Sequence, residues 1–459
     1  MIRRHGPFAA AARRCFAATP PPLPDPSDPS PLDRRGTGSR KHERFGDDAV
    51  PLWVADMDFR SPRPIVEAVT RVAAHGVYGY TDPSPALTAA AVDRMGGKYG
   101  FGEALEPNML RWLPGLLPGI NHVVRARRLL DGEGYGGAPS AAPMGVAVCT
   151  PIYAPFLSAP WNCEAELVKV PLAQMGGGGG GGGGGVVHYE MDWEAMEASL
   201  SQPSVRVLLW CNPHNPTGRV WSRGELSRLA SLCVSHGVTL LSDEVWAEVV
   251  YDDDDDDDEP SGSASRAGDG AGFTGMGALL AEHPELSLVV LTSPSKAFNV
   301  ATTDIALAAI PDARLRRAFS RVGADKAEVT PFGYAACEAA YVDADGEVEA
   351  WRRRLVAYLA ANRDHAEAVL LGAGAPGLRL TRPEASYLTW IDCGGEGVMG
   401  KAARARGSAF AHFLDHGVAF TDGTAFGDPA AVRLNFATTR DVLDRGLERA
   451  VRALETMRE

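Results

Sequence analysis

Short apolar runs separated by amphipathic stretches recur through the middle of this chain. Gly145-Val-Ala-Val-Cys149, Val205-Arg-Val-Leu-Leu-Trp210, Val238-Thr-Leu-Leu241, Leu286-Ser-Leu-Val-Val-Leu291 and Ile305-Ala-Leu-Ala-Ala-Ile310 have strand length and aliphatic character. Helical stretches such as Arg223 to His236 separate several of them. Continuously apolar strands alternating with helices predict an α/β fold: a mainly parallel sheet covered on both faces. From about Pro311 the helical stretches lengthen. Two later strands, near Ser386 to Asp392 and Ala431 to Phe436, predict a smaller α+β domain. The expected layout is a tail over 1–33, an N-terminal arm over 34–60, a large domain over 61–310 and a small C-terminal domain over 311–459.

Low-complexity segments interrupt the pattern. Pro20 to Pro31 reads as an extended linker, because proline fixes φ and removes amide donors. Gly132 to Pro143, the glycine run 176–185 and Asp252 to Gly272 bury too little apolar surface to offset their ordering entropy, so they are expected to be mobile surface insertions. Met1 to Pro22 carries Arg3, Arg4, Arg13 and Arg14 with many alanines and no acidic residue. That composition resembles a transit peptide for a mitochondrion or plastid; a disordered tail on a cytoplasmic protein is the other reading.

Composition narrows the class. A length of 459 residues with 45% hydrophobic content is globular and long enough for two domains. The formal charge of −13 owes eight units to the run Asp252 to Glu259, which leaves about −5 elsewhere. Nucleic acid is not an expected partner, and no apolar run reaches the length of a membrane span. The seven cysteines form no C-x-x-C pair and suggest free thiols in a reducing compartment. No metal site is expected.

The residues that carry chemistry sit at the carboxyl ends of predicted strands, where open α/β sheets bind ligands. Asn212-Pro-His-Asn-Pro-Thr-Gly218 follows one strand and fixes amide side chains on proline turns. Asp243 closes the next, where a buried carboxylate is costly unless it meets a cation or strong donor. Lys296 follows Ser293 and Ser295 after a third strand; a desolvated lysine amine is a nucleophile, and the serines can bind a phosphate. Singly, each has a bland reading: a turn, a helix cap, a solvated surface lysine. Their ordered succession at strand ends is what argues for a site.

These motifs resemble the fold type I pyridoxal-5′-phosphate (PLP) enzymes, the aminotransferase class I and II superfamily. Within it they are most similar to the MalY/PatB-type cystathionine (cysteine-S-conjugate) β-lyases. The narrower likeness rests on Gly36-Thr-Gly-Ser39, Pro51-Leu-Trp-Val-Ala-Asp-Met-Asp-Phe59, His75-Gly-Val-Tyr-Gly-Tyr80, Asn212 to Trp221, Ser293-Pro-Ser-Lys-Ala-Phe-Asn299 and Val432-Arg-Leu-Asn-Phe436. It implies a PLP cofactor joined to Lys296, Asp243 paired with the pyridine nitrogen, Asn215 on the ring oxygen and Tyr153 stacked on the ring. It further implies that Ser293 and the amides of Leu116 and Leu117 bind the phosphate, that Tyr80 reaches the phosphate of a neighbouring subunit in a homodimer, and that Arg433 clamps the carboxylate of an amino-acid substrate. Two departures stand out. Val300-Ala-Thr-Thr-Asp304 follows Phe-Asn where a glycine is expected, and Trp246 stands where relatives place His or Tyr.

The implied activity is a carbon–sulfur β-lyase releasing a thiol, ammonia and pyruvate, with Lys296 as the base for the α-proton. An aminotransferase of the same superfamily would use the same residues. A non-catalytic regulatory protein on this fold is a third reading, disfavoured because it needs neither Lys296 nor Arg433.

Overall fold

A computed structural model describes residues 32–132, 143–176, 185–251, 272–325, 327–375, 377–395 and 407–457. The expectations for the arginine-bearing tail, for the aspartate run and for most of the other two insertions fall outside these residues.

One twelve-stranded sheet organises the chain. At its centre β4 (Glu166–Gly176), β3 (Gly145–Thr150), β6 (Val205–Cys211), β7 (Thr239–Asp243) and β8 (Leu288–Thr292) lie side by side and parallel. Successive residues of β3, β6, β7 and β8 face opposite sides, and both sides are buried, whereas β4 is largely exposed. Val146, Val148, Val207 and Leu209 join one core with Ile120, Phe156 and Phe319. Ala147, Cys149, Leu208 and Trp210 join the other with Leu226, Leu229 and Cys233. Burial on both faces is why the sequence shows unbroken apolar runs instead of alternation. Each fully buried aliphatic side chain contributes roughly 1.5–3 kcal/mol.

The helix Arg223–His236 starts and stops where the sequence predicts. Ser222 and Glu225 form a reciprocal capping box, and Gly237 ends the helix in the left-handed region at φ 64°.

β9 (Ala306–Ala309) departs from the parallel expectation: it runs antiparallel to β8, and the edge strand β2 (Leu110–Leu113) runs antiparallel to β9. Only a loop with a short 3₁₀ turn, Ala301–Thr303, joins β8 to β9. Without a crossover helix the chain returns beside β8 in the opposite sense.

The glycine run is also not wholly an insertion. β4 and β5 (Gly185–Met191) form an antiparallel hairpin, and the first and last glycines of the run, Gly176 and Gly185, are strand residues.

The later strands extend the same sheet. β10 (Arg379–Thr381) pairs in parallel with β5, and β11 (Leu388–Asp392), β14 (Ala431–Asn435) and β13 (Thr421–Asp422) follow in antiparallel order. The N-terminal arm is tied to this late region, because β1 (Val50–Pro51) pairs in parallel with β12 (Val418–Ala419). Among the described residues no helix is long and apolar enough to cross a membrane, and the six described cysteines are free and buried.

Candidate active site

The carboxyl ends of β3, β6, β7 and β8 open into one cavity of about 340 Å³. Tyr153, Asn215, Asp243, Ser293, Lys296 and Arg433 all line it, as does the turn at Leu116 and Leu117. Tyr80 does not; it is 96% exposed, which excludes a core role.

Asp243 ends β7 and is buried. Its Oδ1 accepts the Val245 amide at 3.2 Å. Burial with so little compensation pushes its carboxyl up to about 6. The group stays largely ionised at neutral pH and favours any cation brought to it.

Lys296 lies in the turn after β8. Its Nζ donates to the Ala55 carbonyl at 3.0 Å and sits 5.8 Å from the Trp246 ring. Burial, with Arg433 adding a like charge, lowers its amine to about 8. A useful fraction is therefore unprotonated near neutral pH, as a nucleophile or base requires.

Arg433, on β14, is buried and forms no ion pair among the described residues. Its Nη1 donates to Asn215 Oδ1 at 2.9 Å and its Nη2 to Thr421 at 3.3 Å, while its Nε has no partner. Burial lowers the guanidinium to about 10, so it remains a cation. A buried, unpaired guanidinium with a free N–H is a receptor for a carboxylate. Asn215 gives its oxygen to Arg433, which leaves its amino group for the cavity.

The helix Leu116–Leu130 begins behind Gly115, held at φ 106°, with no side chain capping it. Its first amides, on Leu116 and Leu117, face no intrahelical acceptor, and Pro118 has none to offer. Such a start favours an anion. The Ser293 hydroxyl lines the same cavity but donates to the Ile305 carbonyl at 2.7 Å and accepts the Ser295 amide at 3.1 Å. Tyr153 follows the β3 end, its hydroxyl pushed up by burial and by Asp243.

Several residues at the site escaped assignment from sequence. Val54 and Ala55 form one wall. Tyr387 donates to the same Ala55 carbonyl at 3.2 Å and packs edge-on against Trp246. Asn435 donates to the carbonyls of Val54 and Asp56 at 2.6 and 2.8 Å. Asn299, at φ 57°, accepts the Met57 amide and donates to the carbonyls of Met57 and Phe59. Asp58 is buried against Lys41 at 2.8 Å and Arg34 at 2.9 Å, so both ends of the arm are pinned. The signal present in the sequence is the Trp53 to Phe59 segment and the asparagines that follow Phe298 and Leu434.

The model of the family described as aminotransferase class I and II matches residues 132–450. The chain belongs to that family. It is 30% identical to cystathionine β-lyase PatB of Bacillus subtilis over 433 residues, covering 92% of this chain and 98% of PatB. A crystal structure of OvoB superposes with a TM-score of 0.75 at 31% identity, covering 93% and 98%. The PLP-bound C-S lyase of Staphylococcus hominis superposes at 0.74 with 23% identity, covering 96% and 99%, a likeness of fold. These relations make the fold that of the fold type I enzymes and the cofactor PLP. The residues of the cavity fit that group: an uncapped helix start for a phosphate, a buried carboxylate for a pyridinium, an amine of lowered pKa, and an unpaired arginine for an amino acid's carboxylate.

Proposed function

We propose that this protein is a PLP-dependent carbon–sulfur β-lyase that converts cystathionine or another cysteine S-conjugate, with water, to a thiol, ammonia and pyruvate. The observation that carries PLP chemistry on an amino acid is the buried Arg433, without an ion pair among the described residues, in the same cavity as Lys296 and Asp243. The 30% identity to PatB over 433 residues, 92% of this chain and 98% of PatB, supports the lyase over other chemistries of the fold.

In this reading Asp243 holds the pyridine nitrogen, Asn215 Nδ2 the ring oxygen, Lys296 the aldehyde carbon, and the amides of Leu116 and Leu117 the phosphate, which Ser293 joins only by giving up its bond to the Ile305 carbonyl. Bound PLP supplies an electron sink for the pair left when the substrate's α-proton departs. Arg433 holds the substrate carboxylate and so fixes which bond at Cα faces Lys296. The Lys296 amine takes the α-proton; the Ala55 carbonyl, 3.0 Å away, accepts a hydrogen bond from the resulting ammonium. Val54 and Ala55 line the cavity beside Lys296.

Incubation of purified protein with cystathionine and no 2-oxo acid tests the reading. Release of pyruvate and a thiol is expected; amino-group transfer that requires a 2-oxo acid would establish the aminotransferase instead.

The exposed run Val77, Tyr78 and Tyr80, at 69%, 59% and 96%, supports a homodimer in which Tyr80 serves the partner's phosphate site. Activity restored by mixing Tyr80→Phe and Lys296→Ala subunits tests that arrangement. The acid-free, arginine-bearing stretch Met1 to Pro22 supports delivery to a mitochondrion or plastid, which fusion of residues 1–33 to a fluorescent protein tests.

A further inference from the structure

Two hydrogen-bond donors meet at one oxygen beside the cavity. The Ala55 carbonyl accepts Lys296 Nζ at 3.0 Å and the Tyr387 hydroxyl at 3.2 Å. A carbonyl oxygen has two lone pairs, so both are taken.

The surrounding residues hold this arrangement. Asn435 Nδ2 donates to the carbonyls on either side, those of Val54 and Asp56, at 2.6 and 2.8 Å. The carbonyl between them is left to the two donors. Tyr387 immediately precedes β11, is fully buried and packs edge-on against Trp246 with ring centroids 4.8 Å apart. Trp246 in turn lies 5.8 Å from Lys296 Nζ. The tyrosine ring is thus fixed by packing, and its hydroxyl is aimed at the oxygen that holds the lysine.

Hydrogen bonds polarise one another. Two donors on one oxygen draw on the same electron density and set like partial charges side by side, so each bond is weaker than it would be alone. We infer that Tyr387 is a positioning residue for the reaction: by sharing the Ala55 carbonyl it loosens that oxygen's hold on the protonated Lys296 amine and favours release of the amine in its neutral form. The inference rests on Lys296 being the reacting amine of the proposed lyase.

The charged groups that face Lys296 are Arg433, Asp56 and Asp243, and Trp246 adds an uncharged ring face. Asp56, Arg433 and the hydroxyl of Tyr251 face Tyr387. Burial raises the Tyr387 hydroxyl well above the ordinary tyrosine value, so it remains a donor while Lys296 titrates. Exchange of Tyr387 for phenylalanine leaves every charged neighbour in place, and a change in the lysine's titration then reports the hydroxyl.

The chain has only six lysines, which makes one of them readable by NMR. Full-length protein labelled with the NMR-active carbon isotope at lysine Cε is titrated without cofactor, the Lys296 signal being assigned from Lys296→Arg. Tyr387→Phe should raise the Lys296 midpoint by about 0.5 or more. The pH at which PLP uptake reaches half its maximal rate should rise with it. A ring-fluorinated tyrosine at position 387, a stronger donor, should lower both. An unchanged or lowered midpoint in Tyr387→Phe would overturn the inference, as would a fluorinated chain whose midpoint does not fall. Should Tyr387→Phe fail to fold, the fluorinated chain decides alone. If wild-type protein takes up no PLP, the functional reading falls while the NMR titration still decides what the hydroxyl does to Lys296.

Discussion

Arg433 donates to the Asn215 carboxamide oxygen at 2.9 Å. The proposed clamp for the substrate carboxylate and the proposed contact to the cofactor ring are therefore one hydrogen-bonded unit. Asn215→Ala should injure both halves: weaker PLP binding and a raised KM, with kcat/KM down about 10²-fold. Arg433→Lys, which keeps the charge but loses the planar fork, should raise KM by a similar factor and leave PLP affinity near wild type. Cofactor titration alongside steady-state kinetics separates the two.

Lys296→Ala should abolish the visible absorbance of the cofactor-bound protein and lower the rate of β-elimination by at least about 10³-fold. Because the amine is lowered to about 8 and reacts only unprotonated, the rate at which cofactor-free protein takes up PLP should climb as pH rises through about 8 and then level. Stopped-flow absorbance across pH 6–10 is the check, and a rate flat across that range would contradict the assignment.

Asp243→Asn should weaken PLP binding and cut activity by about 10²-fold or more, since an amide cannot balance a pyridinium. There is a signature in stability as well. The folded, cofactor-free chain keeps the Asp243 proton up to about 6, while an unfolded aspartate releases it near 3.8. The folded state thus binds more protons between those values, and this group's contribution makes stability fall as pH rises across the window. Denaturant titrations at pH 4 and pH 7 should show a smaller difference for Asp243→Asn than for wild type.

Asn299→Ala removes three hydrogen bonds to the backbone of Met57 and Phe59 and leaves a non-glycine, non-asparagine residue at φ 57°. A loss of about 3 kcal/mol is expected from the stranded backbone groups and the strained conformation together. Urea unfolding measures it. Since the same segment supplies Ala55, cofactor affinity should fall too.

Gly218→Ala addresses a purely steric demand. At φ 74° a Cβ here would lie 2.3 Å from the Pro383 Cβ and 3.1 Å from the Ala385 carbonyl. The turn would have to retreat from residues 383–385, at an expected cost of about 2–4 kcal/mol, seen as a lower melting temperature.

The central strands and the residues at their carboxyl ends were legible because burial on both faces leaves unbroken apolar runs, and because ligands of such sheets gather where those runs stop. Lys296, Asp243 and Asn215 could be ordered along the chain for that reason. Their convergence with Arg433 could not, since that residue arrives from β14 through strand pairings of long sequence separation. The direction of β9 was missed because periodicity gives a strand's faces and not its sense. Ala55 was missed for a plainer reason: it acts through a main-chain carbonyl, and any residue has one. Tyr387 and Asn435 matter only through that carbonyl.

The wall formed by Val54 and Ala55 is fastened by Asn435, a residue near the far end of the chain. During synthesis the arm emerges first and its fastener almost last, so a ribosome-bound nascent chain exposes Lys296 long before it can shelter it. A prematurely terminated chain therefore carries Lys296 with neither that wall nor Arg433, and so without the burial and the like charge that lower its amine.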